Sequence, residues 1–483
     1  MKTRDRERGE FGEFAVSRTL NSQLSTPNIQ RDAFRYLMLL SVAMVLLSNL
    51  ARAEDTPGLT FHAAPKALAA SAKVEDWPHF LGPNHNATSS ETHLLKNWPK
   101  DGPAVVWEYE KGEGWACPAI ANGRLVLFHR QNNQEVIDCL QCESGKRLWT
   151  LAYDATYQDR YGTGNGPRTS AVINEGRVYT FGISGKLHCL DLETGKQIWE
   201  RDTQVDFDLK HNFFGHGSTP LAANGRLILN LGGKDNVCVV ALDLATGKTL
   251  WTAKHEWGAS YASPIPATIH GRECVLVFAG GESRPPTGGL LCIDAKTGQI
   301  LNTTPHRPKL TDSVSASSPV VIGDRVFISE SYGSGGELVE IEPDFSAKSA
   351  WKTDHFGTYF MTPVVKDGCL FGFDGQHGQT TELVCYEISN GKELWRDDVG
   401  GKFGKGSLLL ADGGAIALSE HGDLAWLELS PKGNFVKQRV KLFSVPNAWT
   451  LPALSHGLLY VCQNDQSSEG KSPRLICYDL RGE

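Results

Sequence analysis

One phrase recurs along this 483-residue chain, and it constrains the fold more than any other feature. It reads Cys-Leu-Asp-Leu-Glu-Thr-Gly-Lys-Gln-Ile-Trp at 189–199 and Ala-Leu-Asp-Leu-Ala-Thr-Gly-Lys-Thr-Leu-Trp at 241–251. Related copies stand at 139–149 and 385–395, both ending Gly-Lys-x-Leu-Trp. A weaker copy at 292–302 has Asn302 where the others have Trp. Two degenerate copies lie at 339–351, ending in Trp351, and at 427–437, without Trp. The last begins at Cys477. The turn glycines Gly145, Gly195, Gly247, Gly298, Gly391, Gly433 and Gly482 set a period of about 42–52 residues.

The residue types explain the phrase. Leu-x-Leu alternation buries one face of a strand. Asp and Thr accept backbone N–H groups in a tight turn, and Gly supplies positive φ. The following Trp can fill the wedge between neighbouring sheets while its N–H finds an acceptor. Before each copy comes a short strand, often containing Pro, then a turn and an apolar strand, as in Ser318-Pro319-Val320-Val321-Ile322-Gly323-Asp324-Arg325-Val326-Phe327. Four short strands per period, repeated, make units that hide their apolar faces only against copies of themselves. The expectation is an all-β, eight-bladed β-propeller, with turns near 145, 195, 247, 298, 345, 391, 433 and 482. Seven blades is the alternative, because units five and seven are degenerate. The final copy has no strand after its turn, and Ala104–Glu110 (AVVWEYE) looks like that missing strand. Closing the ring there removes two exposed sheet edges. Trp107, Trp149, Trp199, Trp251, Trp351 and Trp395 are the expected structural docking residues.

The N-terminus reads as an address. Arg31 and Arg35 precede an apolar run from Tyr36 to Leu50, followed by Ala51-Arg52-Ala53. Residues 1–53 are expected to be a signal peptide, with an uncleaved N-terminal anchor as the alternative. The product is exported, periplasmic or extracellular, with no membrane span once the signal is removed. Residues 54–76 are expected as a flexible lead-in and 77–483 as the propeller, with 77–103 on its outside or on one face. The net charge of −7 leaves no basic field, so nucleic acid is excluded as a partner. Eleven Cys in an exported chain would ordinarily indicate disulfides. Here Cys139, Cys189, Cys292 and Cys385 share one repeat position, with Cys477 one residue off it. They sit in different blades, too far apart to bridge, and are expected as buried small hydrophobes.

Asp-x-x-Thr-Gly-Lys-x-x-Trp resembles the tryptophan-docking repeat of the pyrroloquinoline-quinone (PQQ) propeller superfamily. That superfamily holds quinoprotein alcohol dehydrogenases and the propeller lipoprotein of the outer-membrane assembly machinery. The opening Trp77-x-x-Phe80-x-Gly82-Pro83 with Trp98-Pro99 resembles PQQ-like repeat proteins of planctomycete-type bacteria. The resemblance implies the fold; both enzymes and scaffolds use it. The chain departs from the enzymes. It has no adjacent Cys-Cys pair and no Cys-x-x-Cys-His for a c-type haem, and the family's calcium-binding Glu, Asn and Asp are not assigned to positions here.

Segments entering the innermost strand of each blade line one mouth of a propeller channel. On that criterion Trp115, Tyr161, Arg168, His216, Tyr261, Tyr359, Lys405 and Trp449 form the candidate ligand-binding mouth. Aromatic and cationic groups together suit a small anionic or sugar-like ligand. The plainer alternative is that they merely close the mouth. No catalytic residue and no metal site is assigned. The expectation is a non-catalytic, monomeric binding or scaffolding propeller with a protein or small-ligand partner and no cofactor. The alternative is a PQQ- and calcium-dependent alcohol or sugar dehydrogenase.

Overall fold

A computed structural model describes residues 56–482, except 210, 211, 282–284, 311, 312 and 376–379. The signal or anchor expected over 1–53 lies outside the described residues. Among the described residues no helix is long and apolar enough to cross a membrane.

The chain forms eight antiparallel sheets. Blade 1 shows the pattern: Ala119–Ala121, Arg124–Gln131, Gln134–Gln141 and Arg147–Asp154, from the axis outwards. Blades 2 to 7 repeat it over 172–202, 221–254, 265–305, 320–353, 364–397 and 407–441. Blade 8 takes its three inner strands, Ala453–Ser455, Leu458–Gln463 and Arg474–Asp479, from the tail of the sequence, and Ala104–Glu110 completes it. Trp107 lies opposite Cys477, as Trp149 lies opposite Cys139. The eight-bladed ring and its closure therefore follow the sequence expectation.

Six of the eight joints between blades are made the same way. The indole N–H of Trp107, Trp149, Trp199, Trp251, Trp351 and Trp395 donates to a turn carbonyl of the next blade, at 2.8–3.1 Å. The turn glycine is needed twice over. Gly195 has φ +70°, and a Cβ placed on it would lie 2.5 Å from the Trp149 ring. The two joints without a docking Trp are sealed by other means. At joint 4–5, where Asn302 replaces Trp, His270 Nε2 takes the turn carbonyl of Ile341 at 2.7 Å, and Phe345 packs back against Arg272. At joint 7–8 Gln438 holds the Trp position, and Leu95 N donates to Leu480 O at 2.7 Å instead.

The N-terminal segment enters the fold more deeply than its composition indicated. The lead-in carries a strand, Leu59–Phe61, that pairs with Ala104–Glu110 as a fifth strand of blade 8, and Lys66 N donates to Asp479 Oδ2 at 2.7 Å. An Ala-rich stretch hides this, because main-chain pairing, not side-chain pattern, holds it. Residues 77–89 cross the end of the channel. Trp77 pairs with Ile120 of blade 1, Pro78 O accepts from Ile173 N of blade 2, and Ser89 N donates to Leu410 O of blade 7. His79 and His85 stack at 4.3 Å beside Pro220 and Pro264 of blades 3 and 4. The chain folds tightly over the buried Trp77 ring, and Gly82 is required there, since a Cβ would lie 2.8 Å from that ring. The segment thus plugs one mouth: of the two expected placements, outside or on one face, it takes the face. Within the ring, small hydroxyl residues form a belt: Ser170 N donates to Thr219 Oγ1, Thr219 N to Ser263 Oγ, Ser263 N to Ser318 Oγ and Ser318 N to Thr362 Oγ1, all at 3.0–3.1 Å.

Candidate functional site: the open channel mouth

The unplugged mouth is built by the long connections that leave each outer strand and enter the next inner one. The residue two places before each belt position faces this mouth, and the eight blades supply Trp115, Arg168, Gly217, Tyr261, Ala316, Phe360, Gly404 and Trp449 there. The aromatic members meet. The Trp115 and Trp449 rings lie 5.1 Å apart, and Phe360 lies 5.1 Å from Trp449. Lys405 Nζ sits 5.8 Å from the Trp449 ring and 6.0 Å from Tyr359. These four expected residues, Trp115, Tyr359, Lys405 and Trp449, form one wall.

A second wall is centred on Phe214. Arg168 stands 5.6 Å from its ring, Tyr161 5.4 Å and Tyr261 5.9 Å, and the Tyr261 hydroxyl accepts from Phe214 N at 3.0 Å. Tyr161 is 55% exposed at the rim. The two walls are tied by the loop 155–167. Trp115 Nε1 donates to Thr163 O at 3.1 Å, and Arg168 Nη2 donates to Thr163 Oγ1 at 2.7 Å. Asp159 holds this loop in shape by accepting from Tyr161 N and Thr163 N. His216 belongs elsewhere: it is buried and packs on Phe181 at 5.2 Å. Phe360, Phe214 and Glu420 were missed. Phe360 could have been found by counting back from the belt position; Phe214 and Glu420 lie in connections with no repeat signal.

Three carboxylates near the mouth are paired with cations. Lys405 Nζ donates to Glu420 Oε1 at 2.7 Å, and Trp449 Nε1 donates to the same oxygen at 3.0 Å. Burial pushes the Glu420 carboxyl up, but the Lys405 ammonium and the indole N–H prevail and hold it below the usual range. Asp159 pairs with Arg168 at 3.4 Å. Glu330 is fully buried, raised by desolvation, and pairs with Arg307 at 2.8 Å and with Ser315. A calcium ion of the kind quinoprotein enzymes use needs about six to eight oxygen ligands with uncompensated charge. Each of these three carboxylates has a cation beside it, and among the described residues no group of three or more His, Cys, Asp or Glu is placed to hold a metal. Trp115 and Trp449 touch, so no flat ring fits between them.

All eleven cysteines are buried free thiols. Burial pushes Cys139 and Cys142 up to about 12, so neither is a thiolate nucleophile.

A family model described as outer membrane protein assembly factor BamB matches residues 132–396. Among curated relatives, BamB of Burkholderia pseudomallei is 23% identical over 433 residues, covering 86% of this chain and 98% of the relative. The 1-butanol dehydrogenase (cytochrome c) of Thauera butanivorans is 29% identical over 137 residues, which is 27% of this chain. The chain spans only about a fifth of that enzyme's length, 19%. Among solved structures, a europium-containing methanol dehydrogenase superposes with a TM-score of 0.62 at 11% identity, covering 84% of this chain and 98% of that one. That likeness concerns the fold.

Proposed function

The chain belongs to the PQQ-like propeller family whose model is described as outer membrane protein assembly factor BamB, and from that premise we propose an exported, non-catalytic propeller that binds a partner at its open mouth. The observation that carries this reading is the paired mouth: Glu420 with Lys405, Glu330 with Arg307 and Asp159 with Arg168. Carboxylates paired in this way brace the aromatic rings. The rings are thus held as a rigid apolar and hydrogen-bonding surface, which suits recognition of a protein segment or a small sugar-like ligand. The full-length likeness to a BamB supports an assembly role, and the plugged far mouth leaves this face as the access to the channel.

The test has two arms. The purified protein is incubated with PQQ and calcium and assayed for dye-linked oxidation of short alcohols and aldoses, with tryptophan fluorescence followed in parallel. No turnover above a protein-free control is expected; turnover would establish the dehydrogenase alternative and end this reading. In the second arm a photoreactive phenylalanine replaces Tyr161 at the mouth or Phe435 on the outer strand of blade 7, both exposed. A discrete adduct is expected from position 161 alone, and equal labelling from both would contradict a mouth-directed partner.

A further inference from the structure

One cross-strand register recurs beside the docking turns, and two blades depart from it alike. In blades 1, 2, 3 and 5 an arginine of the second strand stands opposite a polar residue of the third: Arg124 opposite Gln141, Arg177 opposite Asp191, Arg226 opposite Asp243 and Arg325 opposite Glu340. In blade 4 Cys274 takes this place opposite Asp294, and in blade 6 Cys369 takes it opposite Glu387. Both of these blades carry a second cysteine on the third strand, two residues earlier: Cys292 opposite Leu276, and Cys385 opposite Phe371. The two cysteines of each blade are therefore diagonal neighbours on adjacent strands, and the period of two puts both side chains on one face.

Diagonal partners in an antiparallel ladder stand about 7–8 Å apart. The right-handed twist shortens one diagonal and lengthens the other. Both cysteine pairs occupy the shortened one, and their thiols meet. Cys292 S–H donates to Cys274 Sγ, and Cys385 S–H donates to Cys369 Sγ. That hydrogen bond outweighs burial at Cys274 and holds its thiol below the usual range, which favours the thiolate. Cys139 and Cys189, at the same third-strand position of blades 1 and 2, face Arg124 and Arg177 across this diagonal instead. With the sulfurs already in contact, a bond of about 2.0 Å asks for side-chain rotation and a small approach of the strands.

We propose that Cys274 with Cys292 and Cys369 with Cys385 are dithiol sites that a small disulfide oxidant converts to two disulfides, each clasping the second and third strands of one blade. One protein thiolate attacks a sulfur of the oxidant, glutathione disulfide for example, and expels one glutathione thiolate. The second protein thiolate then attacks the cysteine sulfur of that mixed disulfide and expels the other glutathione. Two protein thiols are oxidised, one glutathione disulfide is reduced to two glutathiones, and the two thiol protons end on them. All four cysteines are buried in the finished ring, so the exchange takes place while a blade stands open, during folding or local opening. The exported reading supplies only the oxidising surroundings. The chemistry is independent of the mouth, and a defined buffer tests it apart from that reading.

The full chain, unfolded in urea with reductant and returned to a glutathione redox buffer, provides the test. Folded monomer is collected, alkylated in denaturant without reductant and mapped by mass spectrometry. Four of the eleven cysteines should escape alkylation, as two linked pairs, 274 with 292 and 369 with 385. The same mapping on chain kept folded throughout and held in that buffer covers poor refolding, since local opening admits a small disulfide. Cys274→Ala should lose the blade 4 link, free Cys292 for alkylation and leave the blade 6 link in place; Cys369→Ala should do the converse. Eleven alkylated cysteines in both samples, a link in one blade alone, or links between any other cysteines would overturn the proposal.

Discussion

A glycine can be required by its φ, by its neighbour, or by both, and the repeat separates the two. Gly176, in the hairpin turn of blade 2, has φ +73° and nothing within 4 Å of a Cβ. Gly195, in the docking turn of the same blade, has φ +70° and the Trp149 ring at 2.5 Å. Gly176→Ala should therefore cost only the left-handed backbone penalty, about 1–2 kcal/mol. Gly195→Ala should cost about 1–3 kcal/mol more, because the indole must move off its carbonyl. Urea unfolding of the two variants measures the difference; equal losses would mean that the ring contact contributes nothing. Residues of this kind were legible in the sequence, since identity and spacing recur. The substitutes were not. His270 and Phe345 seal joint 4–5 from positions that no other blade uses for that purpose, so no comparison of copies reveals them.

At the scale of elements, the segment 56–98 shows where sequence reading stops. Its strand and its plug are held by main-chain pairing and by caps, which leave little pattern in the side chains. One of those caps titrates. Glu91 is almost fully buried and accepts from Glu75 N, His456 N and Gly457 N, at 3.2, 2.6 and 2.7 Å. Desolvation outweighs these bonds and pushes its carboxyl up to about 7 from 4.5. Between those values the folded chain binds more protons than the unfolded one. Stability contributed by this group is thus greatest below pH 4.5 and falls as pH rises to 7, by at most about 3 kcal/mol. Glu91→Gln should flatten that part of the pH–stability curve. A variant whose curve keeps the wild-type slope between pH 4.5 and 7 would show that Glu91 is not its source. The mouth was half legible for a related reason. Counting back from inner strands located Trp115, Arg168, Tyr261 and Trp449, but Phe214 and Glu420 sit in connections free to vary between blades.

For the whole molecule, the ring is a statement about closure. Each blade buries its faces only against its neighbours, so an open end would expose the apolar surfaces of blades 1 and 8 together. The chain meets this by spending an early segment on its last sheet: Ala104–Glu110 pairs with Arg474–Asp479, and Trp107 locks onto blade 1. Binding at the mouth depends on this rigidity, since Trp115 and Trp449, which touch there, come from connections on either side of the closing joint. Native-state hydrogen exchange followed by mass spectrometry tests closure without altering the chain. The amides of Ala104–Glu110 and Arg474–Asp479 should be protected together, to the degree seen for the third strand of blade 2, Lys186–Asp191. Exchange of 104–110 at unprotected rates, with 474–479 left as a free edge, would contradict a ring closed by its own N-terminal strand.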